Sequence, residues 1–233
     1  MRASILVRSA VIFAAVVLVA CSPDMTGPDL QSNRVVTVPV RNPVLFIHGW
    51  NSTGATWFTT IDKFKASGYT DAELYNWTYY SGQSNVTTAH QIAAKVDSIL
   101  AITGAQKVDL VTHSMGSISA RYYTKNLGGA ARVEALVSLG GTNHGTNTAY
   151  FCLQTSCIEM RPNSSFLKAL NKTDETPGST RYATWRSPCD EVINPLSSPS
   201  LSGAVSNTVT ACMNHSQLHE DPTVYAQYEA FIQ

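Results

Sequence analysis

The stretch Val108-Asp109-Leu110-Val111-Thr112-His113-Ser114-Met115-Gly116 places a serine between a buried apolar run and a helical pattern. We predict a strand over residues 107–111 and a helix over residues 115–127. A tight turn between such elements lifts a serine hydroxyl above the sheet, and it requires small residues two positions before and after the serine. Gly116 meets this requirement, whereas Thr112 is larger than the usual glycine. The stretch therefore predicts a nucleophile turn at Ser114, with a helix-capping serine as the alternative.

Short apolar runs alternate with helical patterns along the rest of the chain, as in a parallel sheet with helices on its faces. Further strands are predicted over residues 44–47, 74–79, 133–139, 181–185 and 204–210. A helical stripe over residues 86–100 has capping-box spacing at Thr88 and Gln91 and ends near Gly104, and Asp221-Pro222 begins a final helix. We therefore expect one α/β domain over residues 43–233, with a mainly parallel central sheet and helices on both faces.

The N-terminus carries an export signal. Arg2 and Arg8 precede an uncharged apolar run over residues 10–20 that is too short to span a bilayer. The run ends in Leu18-Val19-Ala20-Cys21, which resembles a bacterial lipobox. We predict a lipoprotein signal peptide over residues 1–20 and a lipid on Cys21, with an ordinary cleaved signal as the alternative.

Residues 21–42 are rich in Pro, Ser, Thr, Asn and Asp and are predicted to form a flexible tether. Ser22, rather than an aspartate, follows Cys21 and favours the outer membrane if the organism has one. We expect an exported protein, anchored by lipidated Cys21 at the outer membrane or cell surface, or secreted if Cys21 is unmodified.

Charge and cysteine content limit the partners and the compartment. Sixteen basic and sixteen acidic side chains cancel without forming blocks, so there is no electrostatic footprint for nucleic acid. Four further cysteines suit disulfides in an oxidising compartment. Sequence proximity favours Cys152 with Cys157 and Cys189 with Cys212, although other pairings and a zinc site are alternatives.

A serine nucleophile needs a histidine base that is oriented by a carboxylate, and in this fold the chain order is serine, acid, histidine. His215 closely follows the strand predicted to end at residue 210, whereas His219 is interpreted as a polar loop residue. His113 is excluded because neighbouring side chains of a strand point to opposite faces. Asp190, directly after the strand at residues 181–185, is the candidate acid, and Glu191 is the fallback.

The reaction also needs main-chain N–H groups where negative charge develops. One is expected from Met115, directly after the serine, and the other from Trp50 in the His48-Gly49-Trp50 turn after the first strand. A simple tight turn is the alternative for His48-Gly49.

Residues 43–50, residues 108–116 and the segments around Asp190 and His215 together resemble the class 2 bacterial lipases, which are small α/β-hydrolases with little or no lid. The similarity runs from about Pro43 to the C-terminus. It implies triacylglycerol lipase or carboxylesterase activity on a small-molecule or lipid ester. In this family a residue other than glycine is tolerated at the position of Thr112. The resemblance places the triad at Ser114, Asp190 and His215 and the oxyanion hole at Trp50 and Met115.

No metal motif is visible, and catalysis by this route needs no cofactor. Two other classes of function are alternatives: another acyl hydrolase on the same scaffold, such as a thioesterase, phospholipase or polyesterase, or a non-catalytic binding lipoprotein. Trp50, Trp57 and Phe58 are interpreted either as an apolar acyl pocket or interfacial patch, or as core residues.

Overall fold

A parallel sheet of six strands forms the centre of the protein. The computed structural model describes residues 41–233, so the predicted signal peptide, Cys21 and nearly all of the predicted tether lie outside the described residues. The strands are β1 (Val44–Ile47), β2 (Leu74–Asn76), β3 (Val108–His113), β4 (Val133–Leu139), β5 (Arg181–Arg186) and β6 (Ser206–Val209). Their order is β2-β1-β3-β4-β5-β6, and every neighbouring pair is parallel. All carboxyl ends of the strands therefore lie at one edge of the sheet.

Helices cover both faces of this sheet, as predicted. The helices are α1 (Phe58–Ala66), α2 (Asn85–Thr103), α3 (Gly116–Asn126), α4 (Thr155–Met160), α5 (Ser165–Leu170) and α6 (Pro222–Ile232). Helices α2 and α3 contribute to the core on one face, and α1 and α6 contribute to the core on the other. Within residues 41–233, no helix has both the length and the hydrophobicity needed to cross a membrane.

The alternation of side chains along β1 explains why there are two cores. Leu45 and Ile47 belong to the cluster with α2 and α3, while Val44 and Phe46 belong to the cluster with α1 and α6. The Phe46 ring lies 5.3 Å from the rings of both Trp57 and Phe64, measured between centroids. A strand buried on both faces is usually a nearly continuous apolar run, and β1 is apolar at all four positions, which is why the sequence predicts it directly.

The helix ends agree with the sequence predictions at two of three places. Gly104 closes α2 in the left-handed conformation, with φ of 72°, and the Asp221 carboxylate accepts hydrogen bonds from the first turn of α6. The predicted capping box at Thr88 and Gln91 is wrong. Helix α2 begins three residues earlier than Thr88, because the Ser84 side chain accepts from the N–H of Val86.

The carboxyl ends of two strands differ from the predicted ranges by two residues or more. Strand β2 ends at Asn76 rather than at residue 79, because the Asn76 side chain donates to the carbonyl of Gly54 and the following residues leave the sheet. Strand β3 continues two residues further than predicted, to His113, so the serine turn follows the sheet edge directly.

Candidate active site

Ser114 lies at the carboxyl end of β3 in a backbone conformation that side chains disfavour. Its φ is 56°, in the left-handed region, and such residues cost on the order of 1 kcal/mol or more unless their surroundings hold them. The Ser114 N–H donates to the carbonyl of Leu139 on β4 at 2.9 Å, and the Ser114 carbonyl accepts from the N–H of Ser117 at 3.1 Å. The predicted nucleophile position is therefore the strained turn that the motif requires.

The turn is possible because two glycines remove side chains around it. A Cβ at Gly116 would come within 2.6 Å of the carbonyl oxygen of His48, and a Cβ at Gly49 would come within 2.9 Å of the Ser114 Cβ. Separations this short are not compatible with non-bonded contact. The turn after β1 and the turn after β3 can therefore approach each other only with glycine at both positions.

Thr112 fits at the position where the motif usually has glycine. Its side chain is completely buried, and its Oγ1 donates to the carbonyl of Val137 at 2.7 Å. The same hydroxyl lies 2.8 Å from the Oγ of Ser117 on α3. The extra hydroxyl is thus satisfied within the strand-to-helix junction, which removes the cost that a buried polar group would otherwise carry.

His215 and Asp190 form a buried pair beside this turn. The His215 Nδ1 lies 2.8 Å from Oδ2 of Asp190, while Oδ1 of Asp190 accepts from the N–H groups of Val192 and Ile193, both at 2.9 Å. The other ring nitrogen of His215, Nε2, is buried and has no protein partner among the described residues. His215 and Ser114 line the same cavity. The structure thus brings together the three residues predicted as the triad.

Opposing effects determine the ionisation of Asp190. Burial by itself raises the pKa of this carboxyl, but the hydrogen bond and charge of His215 and the two main-chain N–H donors outweigh it. The resulting pKa lies below the ordinary value for aspartate, so Asp190 is a carboxylate at neutral pH.

Glu191 has a different role from Asp190. Its Oε2 accepts from the main-chain N–H of His215 at 3.0 Å and does not reach the ring. The geometry therefore favours Asp190 over Glu191 as the acid that orients the His215 ring.

The four cysteines of residues 41–233 form two disulfides, Cys152 with Cys157 and Cys189 with Cys212, which is the pairing that proximity favoured. The Cys189–Cys212 bridge joins the loop that carries Asp190 to the loop that carries His215. The Ser187 hydroxyl accepts from the main-chain N–H of Met213 at 3.0 Å and reinforces the same junction. Covalent and polar links therefore fix the two loops against each other.

The turn after β1 is held by the side chain of His48. Its Nδ1 donates to the carbonyl of Gly49 at 2.8 Å, and its Nε2 accepts from the N–H of Tyr79 at 3.3 Å. The two rings stack with their centroids 3.9 Å apart. A neutral imidazole with its proton on Nδ1 satisfies both contacts, and this ring orients the segment that leads to Trp50.

The predicted oxyanion hole lies on the two turns just described. Within residues 41–233, the N–H groups of Trp50 and Met115 are not taken up by loop or turn hydrogen bonds. Both turns border the cavity that contains Ser114, but the role of these two N–H groups stays a prediction.

The cavity has a volume of about 430 Å³ and opens at the carboxyl edge of the sheet. Its apolar wall comes from Ala149, Phe151, Met160, Val192 and the Cys152–Cys157 disulfide. Phe151 is 93% exposed, so it stands at the mouth rather than inside. An apolar wall beside a serine and a histidine suits a substrate with both a hydrocarbon part and a reactive polar bond.

The three aromatic residues interpreted either as pocket or as core residues lie in three different environments. Trp57 is a fully buried core residue, Phe58 is 60% exposed on α1, and Trp50 stands at the cavity, where its Nε1 donates to Gln154 at 2.6 Å. Only Trp50 therefore contributes to the site.

His219 is not the polar loop residue that the sequence suggested. It is buried, lines the cavity and packs on the ring of His113 with a centroid separation of 4.6 Å. His113 in turn packs on His215. Sequence reasoning missed this cluster because the three histidines come from β3 and from a segment about 100 residues later, and no local pattern links them.

Parallel strand order, a strained serine directly after β3 and a buried histidine–aspartate pair at the same sheet edge define the α/β-hydrolase fold. Solved structures agree with this fold. The mature form of Bacillus licheniformis lipase BlEst2 has a TM-score of 0.73 at 18% identity, covering 84% of this chain and 93% of that chain. Aspergillus fumigatus lipase B has a TM-score of 0.70 at 18% identity, covering 80% of this chain and 51% of that one.

The sequence model of the family Lipase (class 2) matches residues 41–229, and the protein belongs to this family. A curated relative, a triacylglycerol lipase of Vibrio cholerae serotype O1, is 29% identical over 113 residues. That match covers 47% of this chain and 35% of the relative, so the chain spans about a third of the relative's length.

Buried histidines and one buried carboxyl make stability depend on pH. Burial is the main cause that lowers the pKa of His48, His113 and His219, and for His113 the charges of neighbouring histidines lower it further. Burial acts in the opposite direction on Asp109, whose pKa it raises to about 7.

We expect the free energy of unfolding to fall as the pH decreases from about 7 to about 5. Above pH 6.5, the pKa of a histidine in the unfolded chain, the three neutral histidines make their full contribution to the free energy of unfolding. This contribution is lost as the pH falls, because the histidines bind protons at a higher pH in the unfolded chain than in the folded protein. Asp109 has the opposite effect, because its raised pKa stabilises the fold progressively as the pH falls from about 7. We expect the combined effect of the three histidines to exceed that of this one carboxyl.

Urea unfolding across this pH range measures the effect. Asp109→Asn should steepen the loss of stability, and His90→Gln, at an exposed helix position, should leave the slope unchanged. Stability that is constant or rises towards pH 5 contradicts the expectation.

Proposed function

We propose that this protein is a serine hydrolase of carboxylic esters, a lipase or esterase, that works through an acyl-enzyme on Ser114. The observation that carries this proposal is the buried Nε2 of His215, which has no protein partner among residues 41–233 and belongs to a residue that lines the same cavity as Ser114. A buried nitrogen without a partner is costly, and this one is free to accept the hydroxyl proton of Ser114 or of a water molecule during the reaction.

In the proposed mechanism, the Ser114 Oγ attacks the ester carbonyl carbon while His215 Nε2 takes the hydroxyl proton. Asp190 stabilises the imidazolium that forms, through its 2.8 Å contact with Nδ1. The N–H groups of Trp50 and Met115 stabilise the oxyanion of the tetrahedral intermediate. His215 then gives its proton to the departing alcohol as the first tetrahedral intermediate collapses. A water molecule, deprotonated by the same nitrogen, attacks the acyl carbon, and His215 returns this proton to the Ser114 oxygen as the acid leaves.

The cavity wall supports an ester with an apolar acyl or alkyl part. The relative named as a triacylglycerol lipase supports a lipid ester. A thioesterase, phospholipase or polyesterase would use the same serine and histidine, so the substrate series described below has to separate these activities.

Ser114→Ala should abolish hydrolysis of a p-nitrophenyl ester series from acetate to palmitate, because no other nucleophile occupies the turn after β3. We expect a loss of at least about 10³-fold in kcat/KM without loss of secondary structure. The matched control is Ser98→Ala, an exposed serine on α2, which should retain wild-type rates.

A fluorophosphonate probe gives a second reading of the same prediction, since it forms an adduct only with an activated serine. Peptide mapping should place the adduct on Ser114. An adduct on another serine would overturn the mechanism, and a folded protein that neither hydrolyses esters nor reacts with the probe would favour the binding-lipoprotein alternative.

Asp190→Asn should lower kcat by about 10³- to 10⁴-fold, because an amide favours the wrong tautomer of His215 and cannot stabilise its positive form. Glu191→Gln is the matched control, because among the described residues its carboxylate accepts from the main-chain N–H of His215 and not from the ring. We expect that variant to stay within about tenfold of the wild type. Equal losses in the two variants would contradict the assignment of Asp190 as the orienting acid.

We also propose that the protein is exported and anchored by a lipid on Cys21. The lipobox-like sequence before Cys21 supports this, and the two disulfides in the described part of the chain are compatible with an oxidising compartment.

Mass spectrometry of the mature protein from a bacterial host should find Cys21 as the first residue, carrying a diacylglyceryl group and an amide-linked acyl chain. Cys21→Ser should abolish the modification and release the protein from the membrane fraction. An unmodified N-terminal residue in the wild type would overturn the anchoring proposal and leave a secreted enzyme.

A further inference from the structure

His113 occupies an unusual place for a residue that the proposed mechanism does not use. It is the last residue of β3, directly before Ser114, and it is buried. Its ring lies between two other imidazoles, with centroid separations of 4.5 Å to His215 and 4.6 Å to His219. The strand that presents the nucleophile thus also contacts the proposed base.

The decisive contact of His113 is with the main chain of His215. The Nε2 of His113 lies 3.1 Å from the carbonyl oxygen of His215. Because a carbonyl oxygen can only accept, Nε2 of His113 carries the hydrogen and donates it. His113 cannot at the same time use this nitrogen to accept a proton from Ser114, so its role is not that of a base.

Three hydrogen bonds hold His215, each at a different atom of the residue. Asp190 accepts from the ring at Nδ1, Glu191 accepts from the main-chain N–H at 3.0 Å, and His113 donates to the main-chain carbonyl. The first two come from one loop after β5, whereas the third comes from β3. Only the His113 contact ties the base to the element that carries the nucleophile.

On the side of His113 away from His215, His219 is held by contacts with residues 56–60. His219 Nε2 lies 3.0 Å from the Thr56 hydroxyl, and the His219 carbonyl accepts from the Thr60 hydroxyl at 2.6 Å. The Trp57 ring packs edge-on against His219 at 5.3 Å. The three adjacent imidazoles of His215, His113 and His219 therefore pack against the start of α1. His113 cannot tilt away from His215 without displacing His219.

We propose that His113 is a positioning residue, whose Nε2–H holds the main chain of His215 in register with Ser114 while its own ring stays neutral. This inference rests on the proposed function, because it assigns a role relative to that base. A neutral ring matters because His215 becomes positive during the reaction, and a second cation at this separation would raise the energy of that state.

The surroundings of His113 favour that neutral form. Burial is the largest cause that lowers the pKa of His113, and the charges of the titratable groups that affect it, His215, His219 and His48, lower it further. The hydrogen bond to the His215 carbonyl acts the other way and is outweighed.

The test compares two amides that differ in reach. In His113→Gln the side-chain N–H₂ extends far enough to donate to the His215 carbonyl, whereas in His113→Asn it does not. His113→Phe keeps the ring and removes the donor. We expect Asn and Phe to lower kcat by about 10- to 100-fold with KM changed less than about twofold, and Gln to restore kcat to within several-fold of the wild type.

A second measurement keeps the test independent of ester turnover. The proton between His215 Nδ1 and Asp190 should give a downfield proton NMR signal that disappears in Asp190→Asn. We expect faster solvent exchange of this proton in the Asn and Phe variants and protection in the Gln variant.

The outcomes separate this inference from the proposed function. Equal kcat losses in Gln and Asn, wild-type kcat in Asn and Phe, or a change in KM alone would each overturn the positioning role. If the wild type hydrolyses no ester but the signal follows the expected order, the proposed function fails and the positioning contact stands. If the three variants exchange this proton like the wild type, the contact does not position His215.

Discussion

The left-handed backbone of Ser114 is the constraint on which the rest of the site depends. A side chain in this conformation is stable only if its surroundings hold it, and here β4 binds the Ser114 N–H while the first turn of α3 binds its carbonyl. The strain directs the hydroxyl out of the sheet, but it also brings α3 close to the turn after β1. That closeness explains the need for glycine at positions 49 and 116, and it places the two turns with the candidate oxyanion donors beside the same serine.

The second requirement is that imidazoles can be buried together without carrying charge. His48, His113 and His219 each have contacts that a neutral ring satisfies, and burial lowers their affinity for protons. The Asp190 carboxylate lies 2.8 Å from Nδ1 of His215, whereas the Glu220 carboxylate lies 3.8 Å from Nε2 of His219, where burial outweighs its charge. Among these rings, the one that the proposed mechanism requires to accept a proton is hydrogen-bonded to a buried carboxylate.

The sequence predicted the parts of this arrangement that depend on local pattern. The sequence predicts β1 and β4 because both are mainly apolar and bounded by turn residues, and it predicts the serine turn from Gly116 and from the position of Ser114 between a strand and a helix. The sequence does not predict helix α1, because Thr, Asp and Lys residues interrupt its apolar face, on which Phe64 is the main buried side chain. The start of α2 was misplaced because its cap depends on Glu159, about seventy residues away, whose carboxylate binds Ser84 and the N–H of Asn85. The packing of His113 and His219 depends on tertiary contacts alone and leaves no trace in any single segment.

The triad residues and most of the apolar wall come from different segments of the chain, which has a consequence for how substrate preference can change. Serine, histidine and aspartate follow strands of the sheet, whereas much of the apolar wall comes from the segment between β4 and β5, which contains the Cys152–Cys157 disulfide. Substitutions in that segment can reshape the recognised molecule while the reacting atoms keep their places. Directed evolution of selectivity should therefore be concentrated on residues 149–160, where the chain can vary its preferences without rebuilding its chemistry.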